Sequence, residues 1–169
     1  MTRPQADEAN VYYSRYIDLV NDDNIVSTLK SQLEETLLFL EGISDDKSLE
    51  SYAPDKWTIR QVLNHVNDGE RIFAGRALWF ARGFAEALPS FDQDICVDGA
   101  EANDVPWPKL KDEFRSIRLS TISLFENLPA AAWARTGVAS GYPFTVNALA
   151  YIIAGHVTHH TNVLAERYL

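Results

Sequence analysis

Apolar residues recur at intervals of three and four positions in four separate segments of this 169-residue chain. Such spacing places them on one face of an α-helix, and no segment shows the sustained alternation of a half-buried strand. The predicted helices cover about 24–41, 58–83, 108–128 and 145 almost to the C-terminus. Because amphipathic helices bury their apolar faces against one another, we predict an all-α fold, a four-helix bundle with long connecting loops.

Local signals mark the ends of these helices. Thr58 followed by Gln61 has the pattern of a capping box, and Pro129 follows the third predicted helix. The connections over about 82–107 and 129–144 are longer than most links between helices. Connections of this length are usually functional or crossover segments, so we expect them to contribute more than a simple link.

Length and composition restrict the class of protein. A chain of this size usually forms one hydrophobic core, so we expect a single domain over residues 1–169. The formal net charge of −9, with no offsetting cluster of Lys and Arg, argues against nucleic acid as a partner. Residues 1–8 lack the apolar run of a secretory signal, and no stretch approaches the roughly 18 apolar residues of a membrane span. We therefore expect a cytoplasmic protein without a membrane partner, and the single Cys96 agrees with a reducing compartment.

All four histidines lie on two of the predicted helices. His156 and His160 are one turn apart in the apolar stripe of the fourth helix, and His65 lies close to the apolar face of the second. Burying imidazoles among apolar side chains costs free energy unless their nitrogens find partners. A divalent metal ion, zinc or nickel by the preference of imidazole ligands, supplies such a partner. We predict that His65, His156 and His160 bind one ion.

Several alternatives remain open at this site. The histidines can instead be core residues that hydrogen-bond to their neighbours, and His159, three residues after His156, can replace His160 as a ligand. Asp68, one turn after His65, can orient a ligand, move a proton or bind the ion itself. The other interpretation of Asp68 is a solvated charge on the helix surface.

Short segments along the chain, taken in order, resemble a known family. They are residues 52–58 (YAPDKWT), 63–71 (LNHVNDGER), 81–83 (ARG), 88–94 (LPSFDQD), 150–160 (AYIIAGHVTHH) and 166–169 (ERYL). Over nearly its whole length the chain is similar to the DinB/YfiT-like helical-bundle metalloproteins. The resemblance implies a four-helix bundle of unusual connectivity, a metal ion held by residues matching His65, His156 and His160, and a homodimer. Trp79 and Phe80, near a helix end, are candidate dimer contacts and equally candidate core residues.

The resemblance also suggests a reaction. Characterised members of the family include S-transferases that use bacillithiol, mycothiol or glutathione, and a maleylpyruvate isomerase. Three neutral imidazoles leave a divalent ion its full charge and an open position, and a thiol bound there is deprotonated. We therefore expect a metal-dependent transferase that adds a low-molecular-weight thiol, its co-substrate, to small electrophiles.

Two other functions remain open at this point, a metal-dependent hydrolase and a non-catalytic, stress-associated metal-binding protein. The long connection before the third helix carries five polar, aromatic or thiol side chains. They are expected to shape a substrate pocket or to lie on a surface loop, with equal weight: Phe91, Asp92, Gln93, Asp94 and Cys96.

Overall fold

The computed structural model describes residues 2–169 of the chain. Its α-helices in that range are α1 (Ser14–Ile17), α2 (Ile25–Glu41), α3 (Asp45–Ser48), α4 (Ile59–Ala81), α5 (Gln93–Ala100), α6 (Trp107–Glu126) and α7 (Val146–Arg167). Its strands are β1 (Thr136–Ala139) and β2 (Tyr142–Thr145).

The four long helices, α2, α4, α6 and α7, form a bundle. Both α2 and α4 pack against α6 and α7, and the short α1 lies against α7. Every residue from Phe144 to Val157 is buried, so the first part of α7 is surrounded by protein on all sides. The prediction of an all-α four-helix bundle is confirmed, with helix bounds close to those expected.

Side-chain caps explain where three of the long helices begin. The Thr58 hydroxyl accepts from the Gln61 backbone N–H at 3.2 Å, and the Gln61 side chain accepts from the Thr58 N–H at 2.9 Å. This reciprocal pair is the predicted capping box, and it leaves no doubt about where α4 starts. Asn24 caps α2 and Thr145 caps α7 in the same manner, each accepting from a backbone N–H three residues ahead.

The connection between α6 and α7 contains a β-hairpin that the sequence pattern did not predict. Its strands pair antiparallel, with Thr136 opposite Thr145 and Ala139 opposite Tyr142. The turn residues Ser140 and Gly141 both have positive φ, +53° and +80°, as a tight two-residue hairpin requires. Strands of four residues are too short to show a clear alternation, which is why periodicity missed them.

The long connection between α4 and α6 is attached to this hairpin. The Leu88 backbone N–H donates to the Val138 carbonyl at 2.9 Å, and the Ser140 N–H donates to the Leu88 carbonyl at 3.1 Å. After this contact Asp92 caps the short helix α5 by accepting from two backbone N–H groups. The connection that leaves α4 therefore pairs with the hairpin before α5 begins.

A buried polar chain links the four long helices. Arg118 of α6 is fully buried, and its Nε and Nη2 each donate to a carboxylate oxygen of Glu70 on α4 at 2.8 Å. Arg118 Nη1 donates to the Gln32 side chain on α2 at 2.6 Å, and Gln32 donates to the Ala154 carbonyl of α7 at 2.8 Å. Through Arg118 and Gln32, these bonds connect α4 to α7.

Two expectations about the surface are affected by the packing. Phe80 is 1% exposed, so of its two interpretations the structure confirms the core residue and not the dimer contact. Trp79 is half-buried and stacks on Phe84, with 4.0 Å between ring centres. Among residues 2–169, no helix combines the length and the apolar character that crossing a membrane requires.

Candidate metal centre

Three histidine rings meet where α4 packs against α7. His65 projects from α4, whereas His156 and His160 project from successive turns of α7. The Nε2 atom of His156 lies 3.1 Å from that of His65 and 3.1 Å from that of His160. Within residues 2–169 these three form the only group of histidine, cysteine or carboxylate side chains whose ligand atoms all lie within 4.8 Å of one another.

These distances fit ligands that share one ion. Nitrogens bound tetrahedrally at 2.0–2.1 Å are about 3.3–3.4 Å apart, close to the two separations observed here. Hydrogen bonds between the rings account for the arrangement less well, because a neutral ring nitrogen carries either one proton or one lone pair. His156 Nε2 therefore forms at most one good hydrogen bond with its two neighbours, whereas an ion at the common point satisfies all three lone pairs.

Burial keeps the three imidazoles in the neutral form that binds metal. Loss of solvent lowers the pKa of His65 to about 4 and that of His160 to about 3. The pKa of His156, which is 4% exposed, is also lowered by burial and then by the neighbouring His160 and His65. The rings thus remain proton acceptors at neutral pH, with lone pairs available to a cation.

Close packing around His156 depends on residues that the sequence analysis did not select. Gly69 lies one turn after His65, and a Cβ atom at this position would be 2.9 Å from the His156 Cε1 atom. Tyr16 and Phe73 contact the same ring edge-on, with ring centres 5.3 Å and 5.9 Å away. Gly155 admits the backbone of Tyr16, because any Cβ atom there would overlap it. Only the glycines gave a signal in the sequence, since a glycine inside a helical pattern often marks a close packing contact.

The two alternatives for ligands are placed outside the three-ring cluster. His159 is partly exposed and contacts Tyr16 and His160 through its ring, at 5.5 Å and 4.9 Å between centres. The Asp68 carboxylate accepts from Asn64 at 2.9 Å and pairs with Arg71 at 3.5 Å. Neither of these partners of Asp68 is a histidine, and its role in orienting a ligand or moving a proton stays a prediction.

Two cavities flank the histidines. The first, here called the tyrosine cavity, has a volume of about 310 Å³ and is lined by Tyr12, Tyr13, Tyr16, His65, Phe73, Phe91, Gln93, Ser140 and His156. The second, the Trp57 cavity, has a volume of about 330 Å³ and is lined by Tyr52, Asp55, Lys56, Trp57, Val62, Asp94, His159, His160, Val163 and Tyr168. The cluster thus contributes rings to both.

The connection before α6 supplies part of both walls, as one of its two interpretations anticipated. Phe91 and Gln93 line the tyrosine cavity, and Asp94 lines the Trp57 cavity. The charge of Asp94 also opposes the lowering of the His65 pKa, which places this carboxylate near the cluster. Asp92 instead caps α5, and the half-buried Cys96 lines neither cavity.

Sequence comparison identifies the family of this protein. A family model described as the DinB superfamily matches residues 28–164, a range that includes all three clustered histidines. The chain belongs to the DinB superfamily. None of the curated proteins compared with this DinB-superfamily chain matches it.

Solved structures share the fold of this DinB-superfamily protein. YfiT from Bacillus subtilis, described as a probable metal-dependent hydrolase with an unusual four-helix bundle topology, matches with a TM-score of 0.75 and 14% identity, covering 96% of this chain and 89% of that one. The mycothiol-dependent maleylpyruvate isomerase matches with a TM-score of 0.70 and 12% identity, covering 87% of this chain and 61% of that one. At these identities the likeness concerns the fold alone.

Proposed function

We propose that this protein is a metal-dependent enzyme that adds a low-molecular-weight thiol to a small electrophile. His65, His156 and His160 hold one divalent ion, zinc or nickel, in this proposal. The observation that supports it most is the position of the three rings between two cavities of similar volume. A thiol transfer brings two organic reactants to one centre, so a site open on two sides suits it.

The chain's own residues favour a thiolate at this position. A divalent ion held by three imidazoles supplies positive charge that lowers the pKa of a thiol or water molecule reaching it. Burial is the main cause of the lowered pKa of His156 and His160, and the positive charge of the exposed Arg15, whose guanidinium lies 5.0 Å from the centre of the Tyr16 ring, contributes in the same direction. Tyr16 and Phe73 cover the His156 ring and limit the access of water to it.

Hydrolysis is the second candidate, since the solved structure of YfiT is described as that of a probable metal-dependent hydrolase. The same three histidines would then hold an ion that lowers the pKa of a water molecule in place of a thiol. The two cavities would hold two parts of one substrate. A non-catalytic metal-binding role remains the third hypothesis, and it predicts metal binding without turnover of either kind of substrate.

Two parallel assays distinguish these hypotheses, and the first measures thiol transfer. Monochlorobimane is incubated with metal-loaded protein and with glutathione, bacillithiol or mycothiol in separate reactions. In the expected reaction the thiolate sulfur forms a bond to carbon, chloride leaves and the thiol proton passes to solvent. Fluorescence that rises faster with metal-loaded protein than with protein stripped by a chelator supports the transferase.

A parallel assay without thiol uses p-nitrophenyl acetate, whose metal-dependent cleavage would favour the hydrolase instead. The matched control for both assays is His65→Ala, which removes a proposed ligand. Full metal occupancy without turnover in either assay would contradict both enzymatic proposals.

A further inference from the structure

Arg76 is a buried cation without a carboxylate partner. Only 3% of its surface is exposed, and none of the ion pairs within residues 2–169 includes it. Its Nη2 donates to the Pro89 carbonyl and the Ser140 hydroxyl, each at 2.9 Å. Its Nη1 is buried and makes no hydrogen bond of normal geometry within residues 2–169, although the Tyr13 hydroxyl lies nearby. A buried guanidinium remains charged and costs free energy unless it is paired, so an anion from outside the chain is its expected partner.

The guanidinium lies directly behind residues that line the tyrosine cavity, although Arg76 is not itself a lining residue. Its Cζ atom is 5.6 Å from the centre of the Phe91 ring and 5.9 Å from that of Phe73, and both rings line this cavity. Ser140, which it contacts, also lines the cavity. On α4, Arg76 follows His65 by about three helical turns, so both side chains leave the same face of the helix. His65 and His156 line this cavity, and the Arg76 guanidinium lies behind its lining residues Phe73, Phe91 and Ser140.

The tyrosine cavity differs in charge from the protein as a whole. The chain has a formal net charge of −9, yet among residues 2–169 no aspartate or glutamate lines this cavity. The polar groups near Arg76 are neutral, and the positive charge of Arg76 opposes the burial that raises the pKa of Tyr13. The remaining lining is largely aromatic, which suits a planar apolar group next to the charged one.

We propose that the tyrosine cavity binds a small carboxylate, with Arg76 Nη1 donating to the carboxylate and the aromatic side chains covering the rest of the molecule. The assignment names the class of electrophilic substrate, and it rests on the proposed function in treating this ligand as a substrate. A carboxylate is chosen because the free Nη1 edge offers a hydrogen bond of the kind that arginine makes to planar oxyanions.

The test compares benzoate with benzamide, which have nearly the same shape but differ in charge. Each is titrated calorimetrically into the full-length protein, once loaded with zinc and once stripped of metal. Benzoate is expected to bind about 10-fold to 100-fold more tightly than benzamide, as a charge-assisted hydrogen bond predicts. The preference for benzoate is expected to persist in the metal-free protein, because Arg76 causes it in this proposal. Removing the metal excludes a direct contact between benzoate and the ion as its cause. Phenyl phosphate is titrated in the same way.

Two variants locate the charge that is responsible. Arg76→Gln is expected to remove the preference for benzoate, whereas Arg82→Gln, which removes a charge from an exposed position at the end of the same helix, retains it. Circular dichroism and zinc content verify that each variant is folded. The wild-type comparison needs no variant, so it decides the matter even if Arg76→Gln unfolds.

Several outcomes overturn the proposal. These are equal binding of benzoate and benzamide by the wild type, a folded Arg76→Gln variant that keeps the preference, and tighter binding of phenyl phosphate than of benzoate. A benzoate preference in a protein that binds no metal would contradict the proposed function and leave the carboxylate site intact. Metal binding without a benzoate preference would do the reverse.

Discussion

Replacing Gly69 with alanine tests whether the position of the His156 ring determines metal affinity. The new Cβ atom would lie 2.9 Å from His156 Cε1 and 3.3 Å from Nδ1, closer than ordinary van der Waals contact. Tyr16 and Phe73 contact the same ring, so it has little room to move away. A displacement of about 0.5–1 Å is expected to weaken binding of a divalent ion by about 10–100-fold, as for other changes that misplace a ligand.

The free energy of unfolding of metal-free Gly69→Ala should fall by at most about 2 kcal/mol, because two effects oppose each other. Alanine stabilises a helix interior by about 1 kcal/mol relative to glycine, whereas overpacking costs about 1–3 kcal/mol. Gly75→Ala on the same helix is the matched control, because no atom lies within 4 Å of its added Cβ. That variant gains the helix propensity alone, so its free energy of unfolding should rise by about 1 kcal/mol without a change in metal affinity.

Two measurements separate these effects. Zinc affinity is measured by competition with a chelating dye, and thermal unfolding is followed by circular dichroism in the presence of EDTA. If folded Gly69→Ala binds zinc as tightly as Gly75→Ala, the His156 ring does not need its observed position and the reasoning for this ligand is wrong.

Three further predictions follow from the structure, and a fourth follows from the family resemblance. Alanine replacement of His65, His156 or His160 should remove most of the bound metal, whereas His159→Ala should retain it at saturating metal concentration. Elemental analysis of the variants measures the bound metal. If His159→Ala loses the metal and His160→Ala keeps it, His159 and not His160 is the ligand. In EDTA, the free energy of unfolding should fall as the pH decreases from 6.5 to 5, by up to about 1.4 kcal/mol per pH unit for each histidine. The reason is that the folded-state pKa values of His65 and His160 lie near 4 and 3, whereas histidines of the unfolded chain bind protons below about pH 6.5. Urea titrations that give the same stability at both pH values would refute this prediction. Arg118→Met leaves Glu70 buried without its positive partner and should cost about 3–5 kcal/mol in urea unfolding, so a cost below about 1 kcal/mol would show that the pair is not buried as described. Sedimentation equilibrium at micromolar concentration is expected to show a homodimer, and a pure monomer would be inconsistent with that expectation.

The bundle was predictable because its information is local. Each long helix carries its apolar face and its caps within its own sequence, so Thr58 and Gln61 mark the start of α4 without knowledge of its neighbours. The hairpin is different, since it depends on positive φ at Ser140 and on Gly137, where any side chain would overlap the Phe80 ring of α4. Such a contact between distant segments leaves no periodic signal.

The candidate site shows the same division. One turn of helix brings His156 and His160 together, so their proximity could be read from their spacing. The roles of neighbouring residues such as Gly69, Tyr16 and Arg76 could not be predicted from the sequence. These roles arise from packing between helices and connections that are distant in the chain. The role predicted for Asp68 stays a prediction, because its partners in the structure are Asn64 and Arg71 and neither is a histidine.

The walls of the two cavities come largely from segments outside the four long helices. The N-terminal tyrosines, the connection carrying Phe91 and Asp94, and the hairpin turn at Ser140 all contribute, whereas the clustered histidines stand on α4 and α7. Libraries of variants restricted to these outer segments would therefore alter which molecules fit beside the histidines while the helices that carry them remain intact. The chain thus offers a starting point for directed evolution of new substrate preferences on an unchanged ligand set.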